Sequence, residues 1–422
     1  MLSSLKHKIT ETYDILGHRT FLFASLTIAF YIMSKVLRVT VMGWYIYKMT
    51  GNPVHLGFIG LAEALPYIIT NPIGGYLADR YGRKRQSTIL TLLTIALTAH
   101  LCWLVSRDFS ASSLIQIYID FCLFGAVRGT FGSGAMSSLI ALSVPRKQFQ
   151  KANAWNGTFT QTGMVLGPVM GGLIYNFYGV VWANAVVLLF MLVILVFLYF
   201  IVDTPVIRSD VQMSEWQNLT VGFRFIFTNP PLRATVVLDF IAVIFSGVTG
   251  LLPVFAHDIL HLGPDGLGYL RAAIQLGSVC AGLVLAHYPM RNYVGRQYVM
   301  AVIIFCFCLL VFAYSTSFYL SFAMLFLSGF SDWYGSVIRG TISRLLTPEA
   351  LQGRVTSARL MFATSGNEIS TFESGLVAGL IGPVPSVVFG VAATLLATVV
   401  IWHRTPSVKA LHMSKLLEEI KT

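Results

Sequence analysis

Apolar segments long enough to cross a bilayer recur along almost the whole chain. They lie near 21–48, 54–78, 87–106, 112–143, 151–176, 180–202, 232–256, 266–287, 297–316, 318–345, 356–382 and 384–402. A spanning helix needs roughly 20 consecutive apolar residues, since no water in the hydrocarbon core can satisfy an exposed backbone N–H or C=O. Twelve such segments leave little of 422 residues for anything else. They predict an all-α polytopic membrane protein with 12 transmembrane helices. Several segments exceed 25 residues, which implies tilt or ends that project from the bilayer. Charge agrees with this reading: only 11 % of residues are Asp, Glu, Lys or Arg, less than half the roughly 25 % of a soluble domain. A disordered chain, a disulfide-rich secreted module and an ordinary cytosolic enzyme are excluded.

The loops carry the topology. About twenty mixed polar residues, among them Lys6, Lys8, Glu11, Asp14 and Arg19, precede the first span. That span is too long for a cleavable signal and should be retained. Cations cluster after span two (Arg80, Arg83, Lys84, Arg85), after span four (Arg146, Lys147, Lys151) and after span eight (Arg291, Arg296), and the loop after span ten leads to Arg354. The alternate loops are poorer in Lys and Arg. By the positive-inside rule the first set is cytoplasmic, and with twelve spans both termini are cytoplasmic. The net charge of +11 is therefore a topology signal and not a nucleic-acid surface. The five cysteines (Cys102, Cys122, Cys280, Cys306, Cys308) lie in or beside apolar runs with no metal-ligand spacing, and read as core or lipid-facing thiols.

The longest polar connection, 203–231, holds Asp203, Arg208, Asp210, Glu215 and Arg224 and ends at Asn229-Pro230-Pro231. It predicts an N-terminal six-helix bundle over 1–202, a cytoplasmic linker over 203–231, and a C-terminal six-helix bundle over 232–422 with a short cytoplasmic tail. Two six-helix halves suggest a rocking secondary transporter with its substrate bound near the midplane. No GxxxxGK[ST] loop, Ser/His/Asp set or HExxH motif stands in the chain, so an ATP-driven pump and an enzyme are disfavoured and no cofactor or metal is expected.

Three local motifs sharpen this. Gly75-Tyr76-Leu77-Ala78-Asp79-Arg80-Tyr81-Gly82-Arg83-Lys84-Arg85 places glycines at a tight turn, with Asp79 positioned to cap a helix or pair with Arg83 as a conformational latch. Arg128-Gly129-Thr130-Phe131-Gly132-Ser133-Gly134-Ala135 sets an arginine deep in span four, where an unpaired charge is costly. Asp120, about 80° around the helix, is a candidate partner. Gly163, Gly167, Gly171 and Gly172, with Pro168, form a small-residue stripe that permits close helix packing. The first run resembles the loop motif of the major facilitator superfamily at every fixed position. The second resembles its fourth-helix arginine motif, with Phe131 in place of a polar residue, and the third its antiporter motif, with Ala154 where the upstream glycine belongs.

Further matches in the second half, from Leu251-Leu252-Pro253 to Phe372-Glu373-Ser374-Gly375, resemble the enterobactin-exporter-like branch of that superfamily. Arg344, Ser370 and Thr371 depart from its pattern. The resemblance implies the superfamily's two-bundle fold in a bacterial inner membrane, an export function for catecholate siderophores or amphipathic drugs, and a proton-coupling role for Arg128.

Ionisable groups inside spans are functional candidates by default. Lys35 and Arg38 lie three apart, on one face of the first span. Two inward cations would attract an anion. Glu63, Asp239, Asp332, Glu368 and Glu373 are the acidic candidates, and Asp332 and Arg339, seven apart, are nearly eclipsed and could pair. Trp333 and Tyr334 are cavity candidates, whereas Trp44, Tyr45 and Tyr47 read as an interfacial belt. The expected function is a proton-coupled exporter of a small amphipathic anion such as a siderophore. Lys35, Arg38, Glu63, Asp239, Trp333, Arg339 and Glu373 would meet the substrate, and Glu63, Asp120, Arg128 and Asp239 would carry proton coupling. The expected partners are an anionic small molecule, protons and the lipid bilayer, with no nucleic acid and a monomeric state. An importer of siderophores or organic acids with the same fold, and a multidrug or lysolipid transporter, are the alternatives.

Overall fold

The computed structural model describes residues 14–131, 136, 139–140, 143–145, 148–202, 215–245, 247–288 and 293–406, except the side chains at 14, 72–73, 75–81, 131, 215–219, 350 and 368. Among the described residues every regular element is helical: α1 (Arg19–Thr50), α2 (Pro53–Tyr81), α3 (Arg83–Val105), α4 (Ala111–Phe131), α5 (Phe149–Phe200), α6 (Glu215–Thr228), α7 (Pro230–Phe245), α8 (Val248–Val254), α9 (Pro264–His287), α10 (Val294–Tyr314), α11 (Phe318–Leu346), α12 (Gln352–Ile381) and α13 (Pro383–Arg404). Nine described helical stretches are long and apolar enough to cross a membrane. The 52-residue α5 contains two spans, bent at Gly179, whose φ of +85° only glycine adopts freely. The seventh span is broken between α7 and α8, and its far end is a π-helical turn, Phe255–Ile259.

The chain divides into two compact units. One comprises 1–42 and 65–212, the other 43–64 and 213–422. The cut falls inside α1 and α2 and not only in the linker, so the α1–α2 hairpin tip belongs with the second unit.

In the first unit the glycine stripe of α5 lies against α1. A Cβ at Gly163 would stand 2.7 Å from the Ala29 carbonyl oxygen, and one at Gly167 would stand 2.8 Å from that of Met33. Both are closer than real Cβ atoms come, so the stripe is what lets the two backbones meet. Gly74 and Gly129 permit a similar approach of α2 to α4. Gln86 of α3 spans that crossing, donating to the Gly74 carbonyl at 2.9 Å and the Thr130 carbonyl at 2.6 Å. Gly82 begins α3 with φ +83°, and Lys84 donates to the carbonyls of Tyr199 (3.2 Å) and Ile201 (2.6 Å), capping the end of α5.

In the second unit the linker helix α6 is amphipathic and docks through fully buried Ile226 onto Val236, Val355 and Ala358. The hairpin tip meets α12 where two glycines face each other: a Cβ at Gly375 would lie 2.7 Å from the Gly57 backbone nitrogen. At the break in the seventh span, Ser374 Oγ lies 3.1 Å from the Gly247 carbonyl and 2.7 Å from the Ser370 carbonyl of its own helix, so its one proton is shared between them. A Cβ at Gly250 would meet Thr371 at 2.9 Å.

Candidate functional site

The first unit holds a recess lined by Tyr31, Ser34, Lys35, Arg38, Thr94, Phe124, Val127, Val187 and Met191. Lys35 and Arg38 thus share one recess, as their spacing of three on α1 requires. Arg38 is buried, its guanidinium 3.5 Å from the centre of the Phe124 ring, a cation–π contact that holds the charge without a water shell. Three hydroxyl-bearing side chains, two cations and an apolar wall suit an amphipathic anion better than a wholly polar one.

Asp120 is buried in the same unit, and its hydrogen-bond partner is His100, whose Nδ1 lies 2.9 Å and 3.0 Å from the two carboxylate oxygens. Arg38 is its second electrostatic neighbour. The expected pairing of Asp120 with Arg128 is replaced by this one. Arg128 lies over the Tyr67 ring of α2 at 4.1 Å. Sequence reasoning misses His100, although a lone histidine in an apolar run is the available signal. It stands on an exposed stripe with Leu92, Leu93 and Trp103.

The second unit centres on Arg339 and Asp239, 2.9 Å apart with about a tenth of each side chain exposed. Asp332 and the fully buried Tyr298 also bear on Arg339 electrostatically, and Arg359 bears on Asp239. The eclipsed residue Asp332 is therefore a neighbour of Arg339, but the direct contact is Asp239, on another span. Tyr334 donates to Gln297 at 3.2 Å, and Trp333, 38 % exposed, stands against Gly282. Glu63 is buried in α2 within this second unit, and Glu373 is half-buried in α12. The side chains of Glu368, Asp79 and Arg80 lie outside the described residues, as do Gly132 to Ala135. Gly75 lies in the last turns of α2 and Arg83 opens α3, on either side of Gly82. The other stripe positions Pro168, Gly171 and Gly172 are buried in α5.

The aromatic belt expected at the end of α1 is corrected. Trp44, Tyr45 and Tyr47 are all buried. Tyr47 donates to the Asp258 carboxylate, His257 Nδ1 lies 2.6 Å from the other Asp258 oxygen, and the Trp44 ring meets His257 edge-on. In the same unit stands Arg271 of α9, which sequence reasoning also misses. It is 8 % exposed, and its one hydrogen bond among the described residues is a 3.5 Å contact from Nη2 to the Thr249 carbonyl. Among the described residues it has no carboxylate partner, and its Nε has no acceptor.

The Major Facilitator Superfamily profile matches residues 23–371. The enterobactin exporter EntS of Escherichia coli O1:K1 is 25 % identical over 319 residues, covering 74 % of this chain and 74 % of that protein. EntS of Shigella boydii serotype 18 is similar to the same extent. Among solved structures, the nucleoside transporter NupG superposes with a TM-score of 0.73 at 10 % identity, covering 91 % of this chain and 99 % of its own. The human organic anion transporter MFSD10 superposes with a TM-score of 0.62 at 15 % identity, with the same coverage. These structural likenesses establish the fold.

Proposed function

Because the chain belongs to the major facilitator superfamily, a family of membrane transporters and not of enzymes, we propose that it is a proton-coupled exporter of a small amphipathic anion, with a catecholate siderophore as the leading cargo. The observation that carries this reading is the recess of the first unit, where Lys35 and Arg38 stand among hydroxyls and an apolar wall. The recess has room for about one water as it stands; widened to admit cargo, it would offer an aromatic anion two positive charges for its acidic oxygens and a hydrophobic face for its ring. The similarity to enterobactin exporters supports the same cargo class and the outward direction. The protein functions as a monomer in a bacterial inner membrane with both termini cytoplasmic. The halves 1–202 and 232–422, joined by 203–231, rock about the bound cargo. Glu63, Asp120 or Asp239 exchanges the coupling proton, and Arg128 takes part in the same coupling. Gly75, Asp79, Arg80, Gly82 and Arg83 form the latch, and Trp333, Arg339 and Glu373 complete the cargo site.

The test compares siderophore pools in iron-starved parent and deletion cells. A siderophore that vanishes from the medium and accumulates in the cytoplasm is the expected result. Normal release with failed entry of the iron-loaded form would make the protein an importer, and no change in either pool would remove siderophores as cargo. In complemented cells, replacing Lys35 and Arg38 together with Ala should abolish export while folded protein persists in the membrane. Undiminished export by that double variant would refute the anion recess.

A further inference from the structure

A buried arginine in a membrane span is costly unless something compensates its charge. Two other buried arginines each have a visible answer: Arg38 lies over Phe124 and near Asp120, and Arg339 faces Asp239. Among the described residues nothing comparable answers Arg271. It stands seven residues into α9, about 10 Å from the helix start at 1.5 Å per residue, two turns in from the end of the span, and it is buried there rather than in contact with water. Its single hydrogen bond is long and no described acidic group bears on it; its Nε has no acceptor, as is true of Arg38 and Arg339, so the missing acid is what sets it apart. A guanidinium has five N–H donors in a planar fork that matches a carboxylate or catecholate bidentately. Here that fork is nearly unused.

What covers Arg271 is also informative. Across from it on α1 is Gly43, where a Cβ would lie 3.8 Å from Nη2 and 3.4 Å from Pro253. The glycine brings bare α1 backbone close to the guanidinium, beside the Pro253 ring. One turn further along α1, Tyr47 bonds to Asp258 and Trp44 meets His257, which holds this stretch of α1 down on the end of the seventh span. Loss of the Tyr47–Asp258 bond would release the cover, and the guanidinium would then face whatever enters from that end.

We propose that Arg271 is an anion-binding residue, in a second cargo subsite beside the 43–50 stretch of α1, uncovered when that stretch lifts from α8 and α9. Its ligand is the acidic oxygen pair of the transported anion, so the proposal rests on the anion-exporter reading above. A purely structural role would have matched the guanidinium with carbonyls or a carboxylate. One 3.5 Å contact to Thr249 does not do so, and an anion passing the site does.

The test measures uptake of labelled, iron-free enterobactin into inside-out membrane vesicles over a range of concentrations, for the wild type, Arg271→Met and Arg271→Lys. The expected result is a KM raised about 10-fold or more in Arg271→Met at an unchanged maximal rate per folded transporter, with Arg271→Lys recovering at least half of the loss. A structural residue would instead lower the amount of folded protein or the maximal rate. An unchanged KM in Arg271→Met overturns the subsite and leaves the cargo assignment intact. If Arg271→Met does not accumulate, Arg271→Lys alone decides: a KM raised about threefold at an unchanged maximal rate, as expected when the charge stays and the planar fork is lost, supports the subsite, and a KM equal to wild type overturns it. Wild-type vesicles that take up no enterobactin overturn the catecholate cargo and, with it, this assignment of ligand.

Discussion

Removing one partner of the Asp239–Arg339 contact should destabilise the second unit unequally according to which partner goes. The nitrogen and oxygen are 2.9 Å apart, but no well-aligned N–H···O bond forms, since Asp239 Oδ1 lacks a hydrogen-bond partner. The attraction is therefore chiefly coulombic. With only 10 % and 11 % of the two side chains exposed, water screens it little. Breaking such a buried pair costs about 3–5 kcal/mol, because the remaining charge is left without compensation. Asp239→Asn leaves Arg339 with Asp332 as a second anion, so its cost belongs near the low end. Arg339→Gln leaves both Asp239 and Asp332 facing less positive charge, with Arg359 the remaining cation beside Asp239, so its cost belongs near the high end. At roughly 2–4 °C per kcal/mol for a unit of this size, Asp239→Asn should lower the melting temperature by about 6–12 °C and Arg339→Gln by about 10–20 °C. The assay is thermal unfolding of purified protein in detergent, followed by tryptophan fluorescence. The double variant Asp239→Asn/Arg339→Gln should melt above Arg339→Gln alone, because it removes charge of both signs. Two single variants within about 2 °C of wild type, or a double variant whose loss equals their sum, would refute the ion pair as a source of stability.

Two other perturbations follow from contacts in each unit. In the first, Gly167→Val would drive a Cβ to 2.8 Å from the Met33 carbonyl and should cost about 1–3 kcal/mol as overpacking, with loss of transport. Gly157→Val, at a position with nothing within 4 Å, should stay near wild type in the same detergent melt. In the second unit, Tyr47→Phe removes a hydrogen bond to a charged acceptor at a buried position and should cost about 1.5–3 kcal/mol. Asp258→Asn keeps an acceptor oxygen and should cost less, so equal melting losses for the two would count against the bond as the feature that holds α1 down.

The helices are legible in the sequence because apolar length is a local property. The segments 151–176 and 180–202 are separable although α5 is continuous as a helix. Its 52 residues are more than twice what one crossing needs, and the gap at Phe177-Tyr178-Gly179 coincides with the Gly179 bend. The α1–α5 approach is legible for a similar reason, as small residues four apart declare a packing face. Long-range pairing is not legible. An aromatic cluster at a helix end looks the same in sequence whether it meets lipid or protein, and only Asp258, 211 residues from Tyr47, decides the matter. Likewise the spacing of Asp332 and Arg339 identifies a true electrostatic neighbour, while the direct contact, Asp239, comes from another span. His100 and Arg271 escape for a different reason. Each lies within about two turns of its helix end, where polar residues are common, and only burial or a partner separates a functional group from an interfacial one.

The distribution of polarity among the spans carries its own argument. α11 and α12 are 29 and 30 residues long, ample to cross a bilayer, yet α11 is not among the described helices apolar enough to cross a membrane, and α12 carries Arg354, Arg359, Asn367 and Glu373 along its length. Among the polar groups responsible are Asp332 and Arg339 in α11, and Ser370, Thr371, Glu373 and Ser374 in α12. Arg339 reaches across to Asp239 on α7, and the Ser374 hydroxyl, also within reach of the Ser370 carbonyl, is within hydrogen-bond distance of the Gly247 carbonyl at the break between α7 and α8. A broken helix exposes carbonyls that hydrocarbon cannot satisfy, so it persists only where neighbouring polar side chains answer them. Ser374 of α12 is thus a side chain placed to make the interrupted seventh span tolerable, while Arg339 of α11 pairs with a carboxylate earlier in that span. A substitution that makes α12 more lipid-like, such as Ser374→Ala, takes the donor away from the Gly247 carbonyl without opening a large cavity. Amide hydrogen exchange in α8 should then speed up about 2- to 10-fold, the equivalent of one lost hydrogen bond, while exchange in α9 stays as it was. Equal exchange in α8 for the variant and the wild type would mean that the break is held by packing alone, and that Ser374 is not what steadies this point of bending.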